Sequence, residues 1–374
     1  MKIPTAFSSF IILALQFFTP WQASAKDLGW QPKKTWVFVV GALNWKHRDM
    51  FGSFPVKNRR DAALVDFFKQ GGVPEAQIVY LQDKQATQQR IDSAFTAELK
   101  KLRSDDLLIV YYCGHGSRSE NGNDVYLASY DAGDDDVSGW SVNSIPEKIK
   151  SESKCARVLW LLDCCYSGQA ALALTKQKGG AAYACVTSSS ASESSTEHWT
   201  FSDALLDSLR GVAYVDLNHD GFVTLAEFAA HLSADMSLAE EQLSTFATTE
   251  GFSEMVLARA EPLANPKIGE RAQARDSEGE WYASRIVEAR DEKFKIHFIG
   301  YEDDEDVWVA PEDLRPIKQV QYAVGTAVDV RWKKKWYPAS ILQVKDGIHL
   351  IHYTDYEAKW DEWVPSKRIR NPKS

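Results

Sequence analysis

Beyond residue 25 the chain has no apolar stretch long enough to cross a bilayer, which takes about 20 residues, so no stable membrane span is expected in the mature protein. It also lacks a surplus of positive charge. Its 43 Lys and Arg stand against 52 Asp and Glu, a formal net charge of −9. That balance argues against a general nucleic-acid binder, and no nucleic-acid partner is expected. Cysteine is sparse and odd in number: Cys113, Cys155, Cys164, Cys165 and Cys185 are the five. An oxidising compartment favours pairing. One reading therefore pairs Cys165 with Cys113 or Cys164; the other treats Cys113, Cys155, Cys164 and Cys185 as small buried apolar residues.

What is present begins with the leader. Met1-Lys2, an apolar core from Phe10 to Phe18 and Ala23-Ser24-Ala25 form a secretory signal pattern over residues 1–25. The mature chain is expected to start at Lys26 and to be secreted or periplasmic. The remaining length suits two or three domains, and 44% hydrophobic with 25% charged residues is ordinary for a globular chain.

Alternating apolar runs and amphipathic stretches follow. Strands are expected at Trp36–Val40, Ile78–Leu81, Leu107–Tyr112, Val158–Leu162 and Ala182–Val186. Helices are expected at Asp61–Lys69, Gln88–Leu102 and Phe201–Leu209. Such alternation implies an α/β domain with a mostly parallel sheet covered on both faces. Two of the strands end in polar motifs: Cys113-Gly114-His115-Gly116-Ser117 and Asp163-Cys164-Cys165-Tyr166-Ser167-Gly168. Chemistry collects at the carboxyl ends of strands in such sheets. A His at one strand end and a Cys at the next supply a proton acceptor and a nucleophile.

His-Gly after one strand and Asp-x-Cys-x-Ser-Gly after the next, about 50 residues apart, resemble the caspase-like cysteine peptidases, and within them the metacaspase and bacterial caspase-homologue branch. The resemblance covers roughly residues 33 to 250. It implies a three-layer caspase-like sandwich and a cysteine-type endopeptidase that uses a His/Cys dyad. The family pattern makes the Cys two residues after Asp the nucleophile, which selects Cys165 over Cys164. His115 then handles the proton, and the backbone N–H groups of Gly116 and Cys165 are candidate oxyanion donors. In metacaspases the Asp matching Asp163 lies in an acidic pocket for Arg or Lys, and a second carboxylate there matches Asp61. Cleavage after Arg or Lys is the implied preference. For Asp61 a helix N-cap is the competing reading. No arginines suited to a pocket for Asp stand out. Lys176 and Lys178 are candidate self-cleavage sites, or simply exposed lysines.

Asp216 to Glu227 matches a twelve-residue calcium loop: Asp216, Asn218, Asp220, the Phe222 carbonyl, Thr224 and Glu227 as ligands, with Gly221 at the turn. Thr224–Met236 reads as the exiting helix. Gly211–Val215 reads as extended, so the motif is at most half of an EF-hand; an Asx-rich turn without metal is the other reading. Asp134-Asp135-Asp136 is a further acidic run. Calcium is the cofactor these residues suggest, and no organic cofactor is expected.

The C-terminal region repeats with a period of 55 residues. Trp281-Tyr282 recurs as Trp336-Tyr337, Ile296-His297-Phe298 as Ile351-His352-Tyr353, and Trp308-Val309 as Trp363-Val364. Short alternating strands and turn signals imply two small β barrels. The division is then a peptidase domain at 26–258, a linker at 259–266, and barrels at 267–318 and 322–372. The repeats resemble SH3-like barrels of the Tudor, Agenet and chromo-barrel group. That likeness implies a methyl-lysine cage of Tyr337, Tyr353, Tyr356 and Trp360 in the second copy. The first copy offers Tyr282, Phe298 and Tyr301, with Glu305 in place of the fourth ring. The other reading makes these aromatics core and barrel surface; Trp308 and Trp363 are assigned to the core. Protein or peptide substrates are the expected partners. A peptide, a methyl-lysine, a surface polymer or the peptidase domain itself are candidate ligands of the barrels. Two rival functions remain: a non-catalytic scaffold acting through its barrels, and a legumain- or gingipain-like peptidase of the same clan, which the Asp-x-Cys-x-Ser-Gly element fits less well.

Overall fold

A computed structural model of the chain describes residues 28–119, 124–133, 139–175, 181–190, 198–249 and 251–372. The leader 1–25, Asp134-Asp135-Asp136, Lys176 and Lys178 lie outside the described residues.

The first domain runs β1 (Thr35–Gly41), α1 (Arg60–Gln70), β2 (Ile78–Gln82), α2 (Gln88–Leu99), β3 (Leu107–Cys113), β4 (Gly116–Arg118), β5 (Val125–Leu127), β6 (Trp140–Ser141), α3 (Ser144–Glu152), β7 (Arg157–Asp163), α4 (Gln169–Thr175), β8 (Ala182–Thr187), α5 (Thr200–Arg210), β9 (Phe222–Thr224), α6 (Leu225–Asp235), β10 (Thr245–Thr248) and β11 (Val256–Arg259). The main sheet has the order β10-β8-β7-β3-β1-β2. All its pairings are parallel except that of β10 with β8. Strand alternation explains the two cores. Val37, Val39, Ile109, Tyr111, Leu159 and Leu161 face α1, α5 and α6. Phe38, Val40, Leu108, Val110, Trp160 and Leu162 face α2, α3 and α4. The result is the three-layer sandwich expected of the sequence.

All five parallel strands and the three expected helices are present. The helix at 88 stops at Leu99 rather than Leu102, although Leu102 still buries its side chain in a turn. Gly211–Val215 is not extended: Gly211 caps α5 in the left-handed region and Ala213–Val215 forms a 3-10 turn. The edge strand β10, the β4-β5-β6 sheet and helices α3 and α4 were not marked by the sequence pattern.

Two five-stranded antiparallel sheets follow: β12 (Arg271–Arg275), β13 (Trp281–Arg290), β14 (Lys293–Phe298), β15 (Val307–Val309) and β16 (Leu314–Arg315), then β17 (Ala327–Trp332), β18 (Lys335–Lys345), β19 (Ile348–Tyr353), β20 (Glu362–Pro365) and β21 (Ile369–Arg370). Their pairing schemes match strand for strand, including a register shift at Ile286 and at Ile341. Trp308 is not core. It is 42% exposed beneath the Arg290 guanidinium, and Trp363 is only partly buried. The next residue on each strand, Val309 or Val364, points inward instead, because a one-residue step reverses the face.

Candidate active site and its neighbours

The carboxyl ends of β1, β3 and β7 surround a cavity of about 110 Å³ lined by Leu43, Cys113, His115, Asp163 and Cys165, with Phe54 and His198 at its walls. β3 and β7 are hydrogen-bonded neighbours in parallel register, Cys113 beside Asp163. The two motifs therefore emerge side by side, and His115 and Cys165 share one cavity.

His115 is tightly seated. Trp45 and Phe54 lie 4.5 Å from its ring and Phe51 lies 5.5 Å away. Its Nε2 is 2.8 Å from the Gly52 carbonyl. A carbonyl can only accept, so this contact fixes Nε2 as the protonated nitrogen of the neutral ring and leaves Nδ1 as its acceptor. The 44–59 loop that supplies these groups was not marked by the sequence motifs. Its signal was the cluster of Trp45, Phe51 and Phe54 between the first strand and helix.

Cys165 is partly exposed, whereas Cys113, Cys155, Cys164 and Cys185 are buried, and all five are free thiols. Burial pushes the Cys113 and Cys164 thiols well above the ordinary range and also raises Cys155 and Cys185. Those four are thus held as inert thiols. After Cys165 the backbone turns sharply, with Tyr166 at φ 57°. Such a value costs a non-glycine residue energy, and tight packing around the turn holds it. A Cβ at Gly116 would lie 2.1 Å from the Cys165 carbonyl oxygen, so only glycine lets the two backbones meet.

Asp163 opens onto the cavity and accepts a hydrogen bond from Ser202 Oγ at 2.9 Å. Burial raises its carboxyl to about 7, against the opposing hydrogen bonds from Ser202 and Ser188. Neither expectation for Asp61 holds. The N-cap position is Arg59, and Asp61 is fully buried on the first turn of α1. There it accepts from Arg59 Nη2 at 2.7 Å and Tyr80 Oη at 2.8 Å. Its charge is spent on a buried ion pair and it does not line the cavity.

The calcium-loop residues come together without forming a cage. Asp216 accepts from the Asp220 and Gly221 N–H groups, and Asn218 and Asp220 each cap the N–H two residues on. Glu227 Oε1 accepts from Leu217 and Asn218 N–H, and Oε2 accepts from Thr224 N–H and Oγ1 in a capping box. The carboxylate that would grip the ion from two sides is thus taken by protein donors, and this arrangement does not fit a calcium cage. Among the described residues no group of three or more His, Cys, Asp or Glu is arranged to hold a metal. The loop's strand β9 pairs with β11.

The second barrel brings all four expected cage residues to one open cavity of about 490 Å³ and adds Trp332, Asp361, Glu362 and Arg118. Tyr337, Tyr353 and Tyr356 stand nearly edge to face, with centroids 6.0 to 6.2 Å apart. Trp360 is 55% exposed and Tyr356 is 49% exposed, more than core residues would be. Arg118 belongs to the first domain and also lies over the Tyr166 ring at 5.3 Å. The first barrel's Tyr282, Phe298 and Tyr301 form a similar triad, but His198 of the first domain packs on Tyr301 at 5.3 Å.

A family model of the caspase domain matches residues 57–254, more than half of the chain, and the chain belongs to this family of cysteine peptidases. A Tudor-knot model, described as an RNA binding activity-knot of a chromodomain, matches residues 322–371. Among solved structures, a protein from Geobacter sulfurreducens is 14% identical, covering 61% of this chain and all of its own, with a TM-score of 0.43. A tandem Agenet domain structure is 18% identical over 29% of this chain and 81% of its own, with a TM-score of 0.14. A tudor structure is 22% identical over 14% of this chain and 100% of its own, also at 0.14. None of the curated proteins matches. No helix among the described residues is long and apolar enough to cross a membrane.

Proposed function

We propose that the chain is a secreted or periplasmic cysteine endopeptidase that cuts after Arg or Lys. The observation that carries this reading is that His115, tied through Nε2 to Gly52, shares a cavity with the partly exposed Cys165 and the acid Asp163. Cys165 gives its proton to His115 Nδ1 and attacks the scissile carbonyl; the N–H groups of Gly116 and Cys165 face the developing oxyanion. His115 returns the proton to the leaving amine. Water then attacks the thioester, giving its proton to His115, and the acid product leaves with Cys165 restored. Asp163 alone supplies the pocket charge. The leader pattern at 1–25 supports export.

Hydrolysis of fluorogenic peptides carrying Arg, Lys or Asp before the cut tests this. Cleavage after Arg or Lys is expected, abolished by Cys165→Ala and retained by Cys164→Ala. Asp163→Asn should raise KM for the Arg peptide by at least about 10-fold. A cationic side chain binds the ionised carboxylate, so KM should fall as pH rises through about 7 and Asp163 releases its proton. Cleavage after Asp overturns the pocket; no cleavage of any peptide by reduced protein moves the weight to the scaffold.

For the second barrel the open aromatic cavity favours a cationic side chain, such as a methylated lysine on a peptide. RNA is the second reading. It is favoured by the description of the matching model and by nine Lys and Arg against six Asp and Glu over 322–371.

A further inference from the structure

We propose that the first barrel is a working part of the catalytic apparatus, its Gly300–Glu302 turn clamping the loop that seats His115. The inference rests on reading His115 as the catalytic base.

The 44–59 loop holds Trp45, Phe51, the Gly52 carbonyl and Phe54 around the imidazole. Its outgoing limb is fixed from within the first domain. Asp83 accepts from the Leu43 and Asn44 N–H groups, Lys46 N–H reaches the Tyr130 carbonyl, and Phe54 N–H reaches the Leu43 carbonyl. The returning limb is held from both sides: Arg59 ties it to Gly41, Asp61 and Asp83 within the first domain, and the barrel grips the residues on either side of Arg59. Asn58 Nδ2 donates to Glu302 at 2.9 Å, and the Arg60 guanidinium joins Asp203 on one side and Glu302, at 3.4 Å, on the other. Lys57 adds an ion pair with Asp304 at 3.0 Å, but both side chains are well exposed and such a pair contributes little. The recessed part is Arg60–Glu302, with side chains 13% and 21% exposed.

The same turn reaches the cavity from its other side. A Cβ at Gly300 would stand 2.7 Å from Thr200 Oγ1 and 2.8 Å from Glu240 Oε1, so the turn lies flush against the start of α5. Tyr301 rests on His198, which lines the cavity itself. The barrel is also pinned at a distance from the turn. Asp235, at the end of α6, receives Arg271 Nε at 2.6 Å and the buried Arg285, whose guanidinium stacks on Tyr214 at 4.6 Å. Fixed there and pressed on the loop here, the barrel acts as a rigid jaw. Displacing a catalytic group by about 1 Å can cost on the order of 100-fold in rate, which is the scale on which such a jaw matters.

The test uses the full chain with Glu302→Lys and the milder Glu302→Gln and Tyr301→Ala. Turnover is normalised to active sites titrated with an irreversible peptidyl inhibitor. The pH profile of Cys165 alkylation by iodoacetamide is read by mass spectrometry beside it, with His115→Ala for reference. Glu302→Lys is expected to lower kcat about 10-fold or more while KM moves less than about twofold. Its alkylation profile should shift toward that of His115→Ala, with Glu302→Gln and Tyr301→Ala lying between. If all three variants keep the wild-type, His115-dependent profile and kcat, the clamp is overturned. If the wild-type profile already equals that of His115→Ala, the dyad itself fails, and the clamp with it.

Discussion

The two barrels share a plan and differ in what meets their aromatic face. Each carries a His–Asp pair nine residues apart, His297–Asp306 and His352–Asp361. Each stacks an arginine on a tryptophan at 4.0 Å, Arg315 on Trp281 and Arg370 on Trp336. The 55-residue period thus repeats tertiary contacts as well as letters. Yet the second barrel has Trp332 and Trp360 at its cage where the first has Ser277 and Glu305, and the first is acidic, with 14 Asp and Glu against nine Lys and Arg over 267–318. The first sets Tyr301 of its aromatic face against His198 of the peptidase domain, and the second brings its face to a cavity that Arg118 also lines. A duplicated scaffold has kept its core while its two copies meet the peptidase domain differently.

The strongest way to break this contrast is to cut the first barrel's anchor. Asp235→Ala leaves Arg285 and Arg271 facing each other without their carboxylate, at a cost of about 3–5 kcal/mol. Urea unfolding of the full chain should register it, and a loss below about 1 kcal/mol would show that the barrel is not anchored there. Burial works against the Asp235 charge, but Arg285, His231 and Arg271 outweigh it and hold its carboxyl well below its usual range. The sign follows: its stabilisation is present above the unfolded value near 4 and fades as pH falls toward the depressed folded value. A smaller effect sharpens the other side. Trp360→Ala should weaken binding of a trimethyl-lysine peptide about 2- to 5-fold, since one cation–π contact is worth about 0.5–1 kcal/mol when exposed. Tyr282→Ala should leave that binding unchanged, because the first barrel's triad lacks a fourth ring, with Glu305 in its place. Equal losses from both would erase the distinction. Binding of single-stranded RNA that falls steeply with salt would move the ligand to the basic surface instead.

How much of this was legible in the letters depended on whether the cause was local. The strands that build the active site announce themselves as apolar runs, and each of two of them ends in a polar motif, so His115 and Cys165 could be paired from sequence. Asp61 could not be placed, because its fate depends on Arg59 turning back and on Tyr80, 19 residues away. Trp308 misled because a tryptophan on a short strand suggests core, while the face is set by the partner strand's register. The docking of the first barrel was signalled only weakly. Glu305 in place of an aromatic marked an incomplete cage, but the partner, His198, lies about a hundred residues upstream and is joined only by folding.

The smallest contrast concerns His297. Its equivalent His352 makes the same Asp contact, but His297 also borders an interdomain cavity lined by Asp203, Asp207, Asp303 and Asp306. Burial there works against the charged ring, and the hydrogen bond and charge of Asp306 outweigh it, so its pKa is raised above the ordinary value. A raised histidine contributes stability that is fully present below about 6.5 and is lost as pH rises through the folded value. Docking of the first barrel should therefore loosen as pH rises above neutrality through the folded value. His297→Asn should flatten that slope in thermal melts taken between pH 6 and 9. An unchanged slope in His297→Asn would show that the interface does not hold that proton.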